Sequence, residues 1–484
     1  MLGRPRAGWP PGTLRLTALS AVSGLVIAAV TAVLAGPWDD GQRTAERERA
    51  AAQGRTGDAY HGRKAAGRPE EQAAPYAPAV LAGLGPEGAT PAQAVDGVRP
   101  QRAPLPSAAG LAAALGPLLK DPALGSLRSA AVWDVASGTE LYGSRAGAAA
   151  IPASVTKLAS ATAALSALGP DHRIPTVTRL KGTTLYLVGG GDPTLTPRAL
   201  DRLAKATARA LPRGGAFALR YDTSAYSGPV RHPIGVNDNV APVTALMVNE
   251  GRLDGSSHGP APRSGDPAGE AARLFATRLA DHGVKLTGAP APAEAPAKAG
   301  QLAAVHSAPL GALVERALTN SDNDLAEALA RQTAIAAGGA ASFSGASRAV
   351  TAELARLGLP VKGARFADGS GLDRRDHASA EFFARLLVLA GHPAHPGLRP
   401  VLTGLPVAGF SGTLDDRYGD AAGAGVVRAK TGTLTGVNSL AGTVVDADGR
   451  LLAFAFLTNG TPNRDTAQHT LDTLASTLTR CGCR

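Results

Sequence analysis

Ile151-Pro152-Ala153-Ser154-Val155-Thr156-Lys157 opens a run that stays almost wholly apolar to Leu168, where Gly169-Pro170 ends it. That pattern predicts a helix over about Ser154 to Leu168, because glycine followed by proline is a helix stop. Apolar residues on nearly every side of this helix imply burial at the centre of a domain rather than attachment to its surface. Ser154 and Lys157 then share one face, with β-carbons about 5–6 Å apart, so the ammonium can reach the serine oxygen. Most such pairs are a helix cap beside a solvated lysine. Here the apolar helix leaves Lys157 few solvated directions, and burial together with a second cation nearby, Lys430, favours the neutral amine that a general base requires.

Moving outward, Ala130 to Val135 and Thr139 to Tyr142 flank a Ser137-Gly138 turn and read as a hairpin. Far downstream, Val426 to Lys430, Ser439 to Asp446 and Leu451 to Thr458 read as strands, the last two joined by the turn Asp446-Ala447-Asp448-Gly449. Helices are expected over Asp324 to Ala337, Ser342 to Leu357 and Arg464 to Leu478. A hairpin near one end, strands and a terminal helix at the other, and helices between them imply one antiparallel sheet assembled from both ends of the chain, in the α+β class. Residues 181–300 have a different texture of Pro, Gly and short strands, and read as an inserted, smaller, β-rich domain. Gly189-Gly190-Gly191-Asp192-Pro193 is a structural turn there, since no Gly-Lys-Ser/Thr follows it and Pro193 forbids a phosphate-binding helix start.

Two further motifs follow the first in order. Ser321-Asp322-Asn323 precedes a helix, and Ser321 with Asp324 fits a capping box; a proton relay at Ser321 and an amide clamp on a substrate at Asn323 are compatible with capping. Lys430-Thr431-Gly432-Thr433 ends the strand that begins at Val426. Lys430, Thr431 and Thr433 are placed to bind a terminal carboxylate. Gly432 offers no side chain, so a ligand can lie along the strand. The backbone amides of Ser154 and Thr433 form a candidate oxyanion hole, worth about 3–4 kcal/mol per donor in acyl transfer. A serine nucleophile, a lysine base, a relay and a cationic strand edge together make the inventory of penicillin-recognising serine acyl-transferases.

At these motifs the chain resembles the class C low-molecular-mass penicillin-binding proteins, the DacB-type D-alanyl-D-alanine carboxypeptidase/endopeptidases. Leu185 to Pro193, Pro242 to Glu250, Asp368-Gly369-Ser370-Gly371-Leu372, Leu405 to Gly409 and Val427 to Gly442 are similar to that family, from about residue 110 to the C-terminus. The resemblance implies a transpeptidase/β-lactamase-like catalytic domain over 106–180 and 301–484, interrupted by the insert. It implies a serine DD-peptidase with Ser154 as acylated nucleophile, Lys157 as base, Ser321 and Asn323 in the second motif and Lys430 in the third. Its partners would be peptidoglycan stem peptides ending in D-Ala-D-Ala, and β-lactam antibiotics. The same site can also cut D-alanyl crosslinks. The insert, about 120 residues, is short for the two extra domains of the family. A β-lactamase is disfavoured because no Glu-x-x-x-Asn follows Ser321 to supply a deacylating base. A non-catalytic wall-binding module is disfavoured because no motif residue is lost.

Composition limits the alternatives. The net charge of +10 over 484 residues comes largely from scattered Arg without aromatic interleaving, so no nucleic-acid partner is expected; attraction to anionic envelope polymers fits better. Only Cys481 and Cys483 are present, with neither C-x-x-C nor H-E-x-x-H, so no metal or cofactor is expected. Residues 1–15 form a basic, cytoplasmic segment ahead of an uncharged stretch at 16–38, long enough for a transmembrane anchor. Val33-Leu34-Ala35 is an alternative signal cleavage site that would leave the protein secreted. Residues 39–105 hold too few large apolar side chains to fold and read as a disordered tether. Either way the folded part is expected outside the cytoplasm.

Overall fold

The computed structural model describes residues 103–235 and 237–483. The expected anchor or signal at 16–38, the basic segment before it and all but the last residues of the expected tether lie outside these. Among the described residues no helix is long and apolar enough to cross a membrane.

The elements follow in chain order: α1 (Ala108–Leu119), β1 (Leu127–Asp134), β2 (Glu140–Ser144), α2 (Thr156–Leu168), β3 (Pro175–Lys181), β4 (Thr184–Gly189), α3 (Pro197–Ala210) and β5 (Ala216–Asp222). Next come α4 (Pro267–Asp281), β6 (Lys285–Leu286), β7 (Ala291–Pro292), β8 (Gly300–His306), α5 (Leu310–Thr319), α6 (Asn323–Ala336), α7 (Phe343–Arg356), α8 (Ala380–Gly391) and α9 (Pro400–Thr403). The chain closes with β9 (Arg428–Leu434), β10 (Val437–Val445), β11 (Leu451–Asn459) and α10 (Arg464–Thr479).

The first sheet has the order β2-β1-β11-β10-β9, antiparallel throughout, with the two ends of the chain meeting at the β1/β11 pairing. Strand alternation gives its faces different side chains. Val132, Leu440, Leu452, Phe454 and Phe456 face α1 and α10, whereas Ala131, Ala441, Ala453 and Ala455 face α8, and α2, α6 and α7 continue the same core behind it. Small residues on the second face let a thick helical layer approach closely, and large ones on the first fill the space under only two helices. Every residue of α2 from Thr156 to Leu165 is buried, as a helix apolar on all sides requires. The disulfide Cys481–Cys483 sits after α10, and the Ser107 amide donates to the Cys483 carbonyl at 2.6 Å.

The second sheet has the order β6-β5-β4-β3-β8, with β7 also pairing to β5. It extends past the expected 181–300 at both ends, from Pro175 to His306, and mixes antiparallel with parallel pairings. Two helices absent from the sequence reading, α3 and α4, pack on it through Leu200, Leu203, Phe275 and Leu279. The triple glycine is a close-packed turn. A β-carbon on Gly189 would lie 2.3 Å from the Ala245 carbonyl oxygen, one on Gly190 2.1 Å from that of Pro175, and Gly191 holds φ +101°.

Between β5 and α4 the chain makes a long irregular excursion over residues 223–235 and 237–266, which touches the second sheet at Ala245 and Leu246 and otherwise reaches α5 and α6. Arg263 pairs with Asp324 at 2.8 Å, the Ala241 amide donates to Asp324 Oδ1 at 2.9 Å, and Arg316 pairs with Glu250. Gln332 on α6 returns a bond to the Gly190 carbonyl at 2.7 Å. Substituting Phe456→Ala, whose ring is fully buried between the sheet and α1/α10, should cost about 3–5 kcal/mol of stability. Denaturant unfolding would show it as a lower midpoint.

Candidate active site

The nucleophile turn is held in a conformation it would not adopt alone. Ala153 has φ +49°, a left-handed backbone that costs a non-glycine residue about 1–2 kcal/mol. Three clamps impose it. The Asn459 side chain both accepts from the Ile151 amide at 2.9 Å and donates to the Ile151 carbonyl at 3.0 Å. Gly371 lies against the Ala153 carbonyl, where an added β-carbon would come within 1.9 Å. Gly432 lies against the Pro152 carbonyl at 2.4 Å by the same measure, and its added β-carbon would also be 3.3 Å from the Ser154 amide nitrogen. The side-chain direction of Gly432 is therefore filled by the Pro152 carbonyl, the contact that brings β9 beside the Ser154 amide. Ser154 itself is half-buried and makes no helix cap, α2 starting only at Thr156.

Lys157 is 1% exposed. Its Nζ lies 2.9 Å from Ser154 Oγ, 2.7 Å from Asn323 Oδ1 and 2.7 Å from the Ser370 carbonyl oxygen. Burial lowers its pKa to about 8, against the opposing pull of the carboxylates of Asp368, Asp322, Glu327 and Asp376. In the neutral amine, the two N–H groups go to the two carbonyl oxygens, which can only accept. The remaining lone pair faces the one neighbour able to donate, the Ser154 hydroxyl.

The Ser370 carbonyl is itself placed by a loop organised around carboxylates. Asp368 accepts from four successive backbone amides: Oδ1 from Ser370 (3.2 Å) and Gly371 (2.7 Å), Oδ2 from Leu372 (3.1 Å) and Asp373 (2.9 Å). Glu327 Oε1 on α6 accepts from the Gly369 and Ser370 amides at 3.0 and 3.1 Å. With the amides turned to acids, the carbonyls turn to α2: Gly369 accepts from Ser160 Oγ at 2.7 Å and Ser370 from Lys157. In the sequence Asp368 to Leu372 stands out only as a family likeness; this arrangement gives the stretch a physical role.

In the second motif the capping residue is Asp322, not Ser321. Asp322 Oδ1 accepts from the Leu325 amide at 3.1 Å, while Ser321 has φ +55°, which takes it off the helix. A half-buried serine in a left-handed backbone ahead of a capped helix has its hydroxyl free of capping duty. Asn323 begins α6, its Oδ1 on Lys157 and its Nδ2 donating to the Asn239 carbonyl at 2.9 Å. Asn239 comes from the 223–266 excursion, so the insert completes this side of the site.

The third motif fills the last part of β9, which stops at Leu434 and pairs with β10 throughout. Lys430 is fully buried, its Nζ donating to the Thr431 carbonyl at 2.9 Å; burial, then the nearby Lys157, push its pKa well below the ordinary lysine value. The charge of Lys157 thus opposes protonation of Lys430, whereas the lowering at Lys157 itself comes from burial. Fully buried, Lys430 offers a ligand no open contact. Thr431 shares a 2.8 Å bond with Thr413, and the exposed Thr433 accepts from Gln468 at 3.2 Å. The three motifs, separate in sequence, converge on Lys157: it touches Ser154 and Asn323, its charge acts on Lys430, and β9 abuts the Ser154 turn.

The model of the D-Ala-D-Ala carboxypeptidase 3 (S13) family matches residues 111–268 and 253–479. The chain belongs to this family. A carboxypeptidase of Mycobacterium tuberculosis is 38% identical over 402 residues, covering 78% of this chain and 85% of that one. The carboxypeptidase DacB of Mycolicibacterium smegmatis is 37% identical over 423 residues, covering 82% and 90%. Among solved structures, penicillin-binding protein 4 (dacB) of Haemophilus influenzae superposes with a TM-score of 0.62 at 21% identity, over 76% of this chain and 98% of that one, which shows a shared fold.

Gly432→Ala should force β9 off the Pro152 carbonyl and slow acylation by a β-lactam by on the order of 10–100-fold, since misplacing a reacting group by about 1 Å can cost 10²-fold. Stopped-flow acylation alongside a melting curve would separate this from unfolding.

Proposed function

We propose that this site removes the terminal D-alanine from peptidoglycan stem peptides through an acyl-enzyme on Ser154. The observation that carries the proposal is the Lys157 amine, buried and lowered to about 8, with Ser154 Oγ at 2.9 Å as its one donating neighbour. A pKa near 8 in place of about 10.5 raises the free-amine fraction at neutral pH about 300-fold.

Lys157 takes the Ser154 proton as Oγ attacks the carbonyl of the penultimate D-alanine. The amides of Ser154 and Thr433 receive the developing oxyanion. Collapse breaks the C–N bond, and Ser321 passes the proton from Lys157 to the departing amine of D-alanine. Water, deprotonated by the same lysine, then hydrolyses the ester. Thr431 and Thr433 hold the terminal carboxylate within the field of Lys430. Asn323 fixes Lys157 through Oδ1, and the second hydrogen of its Nδ2 serves a substrate carbonyl. A β-lactam enters the same path and stays attached to Ser154, because its cleaved amine cannot leave. Cutting a D-alanyl crosslink needs only a longer leaving amine. We further propose that the enzyme works outside the cytoplasm, held by the 16–38 segment or released at Val33-Leu34-Ala35.

Ser154→Ala should reduce D-alanine release from a D-Ala-D-Ala tripeptide by on the order of 10⁴-fold or more. Turnover retained in that variant would exclude the assignment. Asn323→Ala should lower kcat by about 10²-fold with a smaller change in KM, because it removes a group that orients the base.

A further inference from the structure

We propose that His232, delivered by the insert, is a positioning residue that keeps Lys157 able to release its proton, acting through Asp368. The inference rests on the catalytic reading above.

His232 is buried, and its Nε2 lies 2.7 Å from Asp368 Oδ2. The Ile234 amide donates to Nδ1 at 3.3 Å, which assigns the ring proton to Nε2 and makes His232 the donor to Asp368. The groups around the ring come from three places. Glu327 Oε1 on α6 is 3.9 Å from Nε2, Asp373 adds its charge from the Asp368 loop, and the Phe343 ring on α7 meets the imidazole edge-on at 5.4 Å, itself covered by Arg331 at 4.2 Å. Arg331 is also ion-paired to Glu327 at 3.1 Å. Burial draws the imidazole pKa down, but the bond to Asp368 and the charges of Glu327, Asp368 and Asp373 outweigh it and leave it raised.

The consequence lies at Lys157. Asp368 heads the carboxylates whose charge favours the protonated lysine, ahead of Asp322, Glu327 and Asp376. A proton donor on Asp368 Oδ2 draws that charge away from Lys157 and holds the loop whose Ser370 carbonyl touches Nζ. Left unopposed, the Asp368 charge would hold the proton on Lys157 more tightly and weaken the base. The catalytic domain supplies the acids, and the excursion of the insert supplies the histidine that offsets one of them.

The test compares acylation by benzylpenicillin across pH in the full chain and in His232→Ala and His232→Gln, with melting temperatures alongside. His232→Ala should move the acid limb of the rate upward by about half to one pH unit, slowing acylation roughly 3–10-fold at neutral pH, while the alkaline plateau stays near the parent value. His232→Gln, which keeps a neutral donor, should restore much of the limb. Should the alanine variant not fold, His232→Leu fills the space without a donor and should show the same shift. An unmoved limb in the donor-less variant, or an equal loss at every pH, overturns the inference. Failure of the parent chain itself to be acylated would instead count against the catalytic reading.

Discussion

A lysine amine shut away from water, with two carbonyl oxygens and one hydroxyl for neighbours, is the constraint on which the rest of this molecule is arranged. Burial makes the charged form costly, and the geometry directs the lone pair of the neutral form at Ser154. Such a pocket can exist only inside a thick helical layer. That accounts for a central α2 buried from Thr156 to Leu165, and for the alanines that line the sheet face beneath it. Each acceptor must also be fixed from outside α2. Asn323 is fixed by the start of α6 and by the Asn239 carbonyl, and Ser370 by the amide-binding carboxylates of Asp368 and Glu327.

Two of the six left-handed non-glycine residues among the described positions lie in the catalytic motifs or directly beside them. Ala153 and Ser321 both hold left-handed backbone, one immediately before Ser154 and the other ahead of α6 in the second motif. Glycines at 371 and 432 make room for the first of these turns, and a side chain at either would collide with it. The structure around the site over-determines a backbone that an isolated peptide would leave, the arrangement expected of a preorganised site.

Much of this was legible in the sequence because it is local or periodic. The apolar run after Ser154, the hairpin at Ser137-Gly138 and the terminal turn at Asp446 to Gly449 each carry their structure within a few residues. So does the i, i+3 spacing of Ser154 and Lys157. The class of the fold followed from strands at both ends of the chain. Less was legible where the cause is tertiary. The contact of Gly432 with Pro152 has no local signal, and Ser321 reads as a cap until Asp322 is seen to take that duty. The largest omission is residues 223–266, which have no periodicity and read as part of a separate insert. Their role is set by partners some 80 to 140 positions away, such as Asn239 with Asn323 and His232 with Asp368. No local signal encodes such pairings. The insert is therefore better understood as a wall of the catalytic site than as an appendage to it.

The central claim is that Lys157 serves as the base because burial lowers its pKa. The most direct measurement is the second-order rate constant for acylation of Ser154 by benzylpenicillin from mildly acid to alkaline pH, with the adduct mapped by peptide mass spectrometry. The account predicts an adduct on Ser154 and a rate that rises through one titration near pH 8, where half of Lys157 is neutral. A rate that is flat through that range, or that rises only near the ordinary lysine value of about 10.4, would contradict it.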